Sequence, residues 1–284
     1  MLYLPQLPLK PSLQRHLAKA QAKIDALPTY RDRVYAAKTA WQTKKKKKAQ
    51  RSAFERIERT LQMASPYCHY CEAVPGTAIE HIYPRGFFPN QTFRWSNYVW
   101  SCFTCNTTCK GAQFQLFETA DGHTHQPLLK NYRFEAPHNE DTVFLHPRQD
   151  DPLSYWALDL ETGHWVPKAP KGTRAHARAV YTCAVLRLNE RPRLVASRRQ
   201  AIADYQRLLA HYLLLLAAPT DARIRAQLPH KGPRFQRHPL QAQASLAALA
   251  LQRRILGQPH PSVWRSLQRQ QPALFEQSPE ALDW

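Results

Sequence analysis

Acidic side chains are scarce in this chain: 21 Asp and Glu stand against 40 Lys and Arg, a formal charge of +19 at pH 7. Such an excess repels itself in a folded molecule, and attraction to a polyanion offsets it, so nucleic acid is the expected partner. Long apolar runs are missing as well. The longest, residues 208–218, is eleven residues interrupted by His211. A bilayer core needs about 20, so a buried helix is expected there. The opening stretch MLYLPQLPLK carries Pro5 and Pro8 where the apolar part of a secretory leader would lie, and a cytoplasmic protein is expected. Glycine is equally sparse, with the first at Gly76. With no glycine in them, residues 11–64 are predicted to be helical.

What is present is unevenly placed. Residues 44–59 hold eight basic and two acidic residues, including the run Lys44, Lys45, Lys46, Lys47 and Lys48. The spacing of Phe54, Ile57 and Leu61 puts one apolar face on a helix, and the lysine run is predicted to lie on that same helix. These lysines with Arg51 and Arg85 are the candidate phosphate contacts; the plainer reading of the run is a solvated helical face. Residues 223–269 hold nine basic residues and no acid. Between these, residues 135–161 hold seven acids against Arg148 alone, a segment suited to facing a partner protein. The reading is an α+β protein in four regions: a basic helical segment (1–65), a small cysteine-bearing core (66–118), an acidic linker with a β-hairpin around Thr162-Gly163 (119–172), and a helical remainder (173–284) cut by prolines near 219–239.

Five of the six cysteines fall within 42 residues, which in a reducing compartment points to metal rather than disulfides. Cys68-x-x-Cys71 and Cys102-x-x-Cys105 can each form a knuckle, and four thiolates satisfy tetrahedral Zn²⁺. Rubredoxin-like iron sites share the spacing but carry glycine after the second cysteine of each pair, where Glu72 and Asn106 stand here. Zinc is therefore the expected ion, in a structural role, because four protein ligands leave no position for water. Structural zinc contributes an apparent ~10–16 kcal/mol, as much as the stability of a whole domain, ~5–15 kcal/mol. Cys109 is left outside the site, Cys183 is assigned to the core, and His69 is expected to project outward from its knuckle. His123 and His125, in DGHTH, are read as a loop.

Between and after the cysteines lie AIEHIYP, RWSNYVWSC and CNTTCKG. They place Glu80 and His81 at the end of a β-like stretch, Asn97 before the second knuckle, and Asn106 where a helix can begin, with Lys110 one turn on. Phosphodiester hydrolysis needs an activated water, a cation on the phosphate oxygens and help for the leaving alkoxide. A neutral histidine can take a proton from water. Glu80 and Asn106 offer hard oxygens suited to Mg²⁺ or Mn²⁺. Lys110 could contact phosphate or cover the helix end.

This order of residues, over about 66–117, resembles the HNH endonucleases in their zinc-knuckled, ββα-metal form, with His81, Asn97 and Asn106 at the named positions. The resemblance implies that Asn97 bridges the hairpin loop and orients the backbone around His81. The closing Phe114 and Leu116, with FLHPRQDDP, ETGHWVP and RAVYTCAVLRLNERPRLVASRR further on, is similar to the PtuB subfamily, the HNH subunits of Septu anti-phage systems; related subunits accompany some retrons. Phe-Gln-Leu in place of Phe-Pro-Leu, and His146, depart from that pattern. The likeness implies an ABC-like, PtuA-type ATPase partner and phage DNA as substrate, with tRNA the other. Other readings are a zinc-ribbon binder that cuts nothing and a stand-alone restriction or mobile-element HNH enzyme.

Overall fold

In a computed structural model of the chain, the residues described are 1–4, 7–44, 46–119, 124–127, 135–217, 221–228 and 239–284. Lys45, His123, Pro219, Pro229 and Pro233 lie outside them. Three helices lead. Helix α1 (Pro11–Asp25) opens on a proline, whose missing N–H costs nothing at that position, and buries Leu13, Leu17, Gln21 and Ile24. Thr29 caps α2 (Tyr30–Thr43), its hydroxyl accepting the Asp32 N–H at 3.1 Å. Helix α3 (Lys48–Ala64) turns Phe54, Ile57 and Leu61 inward, the face that the sequence periodicity marks.

The lysine run was expected on the helix of Phe54, but of its described residues only Lys48 lies there: Lys44 caps the end of α2 and Lys47 caps the start of α3. Adjacent like charges repel along one continuous helix, and a break lets them diverge.

The helices pack on a β-hairpin of β1 (Ala78–His81) and β2 (Tyr98–Ser101), antiparallel with Ala78 opposite Ser101 and His81 opposite Tyr98. Every residue of β2 is buried, so the strand reads as a continuous apolar run rather than an alternating one. Leu17, Trp41, Phe54, Ile57, Phe93, Tyr98 and Trp100 join in one core cluster. A π-helical segment, Thr104–Lys110, follows, and the Gly111 N–H closes it on the Asn106 carbonyl at 2.8 Å. Strand β3 (Gln115–Phe117) pairs with β4 (His125–Pro127), and His125 is exposed there. Strand β5 (Trp156–Leu158) pairs with β6 (Trp165–Pro167), with Gly163 of the connection at φ 74°, a left-handed turn position.

Five of the seven acids in the acidic segment are engaged within the chain. Asp141 meets Arg174, and Asp150 meets Arg178 at 2.6 Å. Glu140 accepts from Asn90 and Gln91. Asp151 caps a short helix, α4 (Pro152–Tyr155), and Asp159 accepts from the backbone of its own turn.

Two compact units emerge. One is Met1–Ala157 with His164–Leu194; the other is Leu158–Gly163 with Val195–Trp284. The first holds the hairpin, the cysteines and α5 (Arg174–Val185), on which Cys183 is half-buried. In the second, most of α6 (Pro192–Leu216) belongs with helices Leu240–Leu256 and Pro261–Gln270. There Ser197 Oγ lies 3.0 Å from His260 Nε2, and the Tyr205 hydroxyl donates to the Pro259 carbonyl at 3.1 Å. Among the described residues, no helix is long and apolar enough to cross a membrane.

Gly76 sets the approach of the first knuckle to the hairpin. A Cβ there would fall 2.1 Å from Trp100 Cδ1, whereas a Cβ at Gly86 meets nothing within 4 Å. Gly76→Ala is expected to cost about 1–3 kcal/mol, seen as a lower denaturation midpoint, with Gly86→Ala unchanged.

Candidate functional site

The hairpin brings the cysteine pairs together. Cys68 and Cys71 precede β1, Cys102 and Cys105 follow β2, and register opposes Ala78 to Ser101 at the same end. The two knuckles repeat one turn. The residue after the second cysteine donates its N–H to the carbonyl of the first: Glu72 to Cys68 at 2.8 Å and Asn106 to Cys102 at 2.9 Å. Glu72 holds φ 61°, a conformation that glycine adopts freely and most residues avoid.

All four thiols are buried, with their sulfurs within 4.8 Å of one another. A tetrahedral ion with bonds of about 2.3 Å sets its sulfurs about 3.8 Å apart, and Cys71 and Cys102 Sγ are separated by 3.9 Å. The cluster is therefore compatible with zinc. Arg191 donates to Cys105 Sγ at 3.6 Å, and Ser101 Oγ lies 3.7 Å from Cys68 Sγ. Such contacts offset thiolate charge. Cys109 is buried nearby but does not belong to the cluster.

His69 does not project outward, contrary to expectation. It is fully buried, its ring Nδ1 accepts the Trp100 N–H at 3.0 Å, and its backbone N–H donates to the Trp100 carbonyl at 2.8 Å. The knuckle lies against β2 as an added edge, and the ring satisfies that edge. Burial holds the ring pKa down to about 4.

At the other end of β1, a cleft of about 530 Å³ gathers Glu80, His81 and Asn106 with Arg31, Lys38 and Arg85. His81 Nε2 lies 3.0 Å from the Thr92 carbonyl. A carbonyl only accepts, so this nitrogen carries the proton and Nδ1 keeps the lone pair in the neutral ring. Trp41 and Tyr98 hold the ring edge-on, with centroids 4.2 and 5.3 Å away. Burial, then the nearby Arg85, pushes the His81 pKa well below its ordinary value, which keeps the ring neutral at pH 7.

Asn97 ties down the segment between the strands. Its Oδ1 accepts the Tyr83 N–H at 2.7 Å, while Nδ2 donates to the carbonyls of Tyr83 and Gln91 at 3.1 and 2.9 Å. That satisfies the amide in a buried place. Lys110 takes neither of its expected positions. It is fully buried, and its ammonium donates to Glu80 Oε1 at 2.7 Å and to the His81 carbonyl at 2.9 Å. Burial raises the Glu80 pKa and Lys110 opposes that rise.

Asn106 is half-buried within the π-helical segment, which begins two residues before it rather than at it. Among the described residues, no second group of three or more His, Cys, Asp or Glu is placed to hold an ion. A cation in the cleft would draw on Glu80 and the Asn106 amide oxygen, with water and substrate completing its shell, a sparse set of hard donors that fits Mg²⁺.

Of the basic residues named from sequence, Arg85 lines the cleft. Lys46, Lys47, Lys48 and Arg51 are exposed elsewhere. Lys44 lies with Nζ 3.8 Å from the Trp41 ring centre, part of the packing behind His81. Sequence reasoning missed the whole contribution of α2: Trp41 against His81, and Arg31 and Lys38 on the cleft wall. Comparison with protein-family models, curated proteins and solved structures finds no match for this chain.

Two outcomes follow from the geometry. Replacing Cys68 and Cys102 by serine is expected to abolish tight zinc binding, measured by metal analysis of the purified protein, and to lower the melting temperature by on the order of 10 °C. Lys110→Met strands a buried carboxylate and should cost about 3–5 kcal/mol in unfolding free energy, much of it recovered when Glu80→Gln is added. Equal stability of the single variant and the parent would contradict the buried pair.

Proposed function

We propose that this chain is a metal-dependent endonuclease of the HNH type that hydrolyses phosphodiester bonds. The observation that carries the reading is the orientation of His81, whose Nε2–H is held by the Thr92 carbonyl in a cleft shared with Glu80, Asn106 and three cationic side chains. Its free nitrogen, Nδ1, is the proton acceptor. Water taking part in the attack gives its proton to that atom. The neighbouring cations bind the phosphodiester and hold it in place. A divalent cation held by Glu80 and Asn106, when bound, supplies positive charge to the phosphate and the leaving oxygen. Lys110 opposes the rise that burial imposes on the Glu80 pKa, and it fixes the carboxylate's direction through one hydrogen bond to Glu80 Oε1 while a second ties the same ammonium to the His81 carbonyl. Asn97 sets the path of the segment that carries Thr92, and so acts on the base through the backbone.

Zinc at the four cysteines is the structural ion of this reading. It anchors Asn106, the residue after Cys105, relative to the hairpin. The sequence likeness to the PtuB subfamily extends the proposal to the nuclease subunit of an ATPase-gated anti-phage system, acting on phage DNA, with tRNA as the alternative substrate. The basic composition supports a nucleic-acid substrate.

The test is cleavage of plasmid DNA and of total tRNA in Mg²⁺ or Mn²⁺, with and without a PtuA-type ATPase. His81→Ala should lower the rate by at least 100-fold while zinc content stays at the parent value, the melting temperature falling only as far as the lost packing against Trp41 and Tyr98 requires. Equal cleavage by the variant would remove His81 from the chemistry. Retained zinc and nucleic-acid binding with no cleavage under any condition would favour the zinc-ribbon binder.

A further inference from the structure

Large apolar side chains on a single-domain surface are usually scattered and unremarked, but Tyr35 stands at the mouth of the cleft, 73% exposed. It lies on α2, between Arg31 and Lys38, at spacings of four and three residues. Those spacings put the three side chains on one face of the helix. All three line the same cleft as His81, with Arg85 completing the cationic set. The acid on this wall, Glu80, is engaged by the buried Lys110. An aromatic ring flanked by cations within a helical turn is the pattern that binds single-stranded nucleic acid. The ring offers a stacking platform to any base, and the cations follow the backbone. In a duplex the faces of the bases are already stacked and out of reach of such a ring.

We propose that the face of α2 bearing Arg31, Tyr35 and Lys38 docks an unpaired nucleic-acid strand, with one base stacked on Tyr35 beside the phosphate presented to His81. This rests on the nuclease reading and deepens it: the substrate class is single-stranded or locally unpaired nucleic acid rather than intact duplex. The cleft, at about 530 Å³, holds a ligand of nucleotide size. Stacking is indifferent to base identity, so Tyr35 selects strandedness and not sequence. Arg31, Lys38 and Arg85 act on phosphates and give the salt dependence.

The experiment measures binding and cleavage separately on the full-length chain. Fluorescence anisotropy of a labelled 12-nucleotide single strand is compared with the duplex of the same sequence, in the His81→Ala background so that no product forms. The single strand should bind more tightly. Tyr35→Ala should weaken it about tenfold, Tyr35→Trp should restore it, and the duplex should be little affected. Because Tyr35 is exposed, melting temperature reports any general damage, and it should not move. Equal affinity for the single strand in Tyr35→Ala and its parent, or tighter duplex binding unaffected by the substitution, would overturn the proposal. Cleavage by otherwise unaltered protein then separates the two readings. If it cuts while Tyr35→Ala binds and cuts as before, the nuclease stands and the docking face falls. Absence of cutting, with Tyr35-dependent strand binding retained, would keep the docking face and remove the nuclease.

Discussion

The opposed pairing of Ala78 with Ser101 constrains nearly everything around it. It sets the two cysteine knuckles side by side at one end of the hairpin, and it sends Glu80 and His81 toward the other. The π-helical segment starts at the cysteine end, and its last residue, Lys110, reaches back to Glu80 and the His81 carbonyl. The metal-compatible cluster and the cleft are therefore two ends of one small frame. A chain this basic gains little from a buried charge pair as such, since desolvation consumes much of the attraction. What the pair gives is direction, because a carboxylate held by an ammonium in the interior has few alternative poses.

Much of this frame was legible in the residues. The cysteine spacing announced the knuckles because metal coordination imposes local rules that a short stretch must obey. The inward face of α3 was legible for a similar reason, helical periodicity over Phe54, Ile57 and Leu61. Failures fell where a residue's surroundings come from distant chain. Lys110 looked like a surface cation because lysine usually is one, yet a partner thirty residues earlier holds it inside. His69 looked outward because nothing local reveals that its knuckle lies along β2. The lysine run, by contrast, was misplaced by trusting periodicity across a charge cluster that breaks it.

Helix α2 was the largest omission. Its apolar content is modest, and its burial is confined to Ala37 and Trp41. Yet Trp41 packs on His81 from one side of the helix while Arg31, Tyr35 and Lys38 lie along the cleft. A helix with one aromatic anchor and a charged remainder looks like a solvated surface element when read alone. Its role appears only when the hairpin is beneath it. The core cluster that includes Trp41, Phe54 and Phe93 thus backs His81, which itself lines the cleft.

The hold on His81 comes from a main-chain oxygen, and this has a consequence for divergence. The Thr92 side chain is buried with its hydroxyl unpartnered among the described residues, so the group that matters at that position is common to all twenty amino acids. Residue identity at 92 is free to drift among side chains of similar volume, while the number of residues between His81 and Asn97 is not. An arrangement fixed by loop length and peptide carbonyls can persist while its letters are rewritten. Kinship among proteins built this way would be recorded in spacing and backbone path long after residue identity had faded.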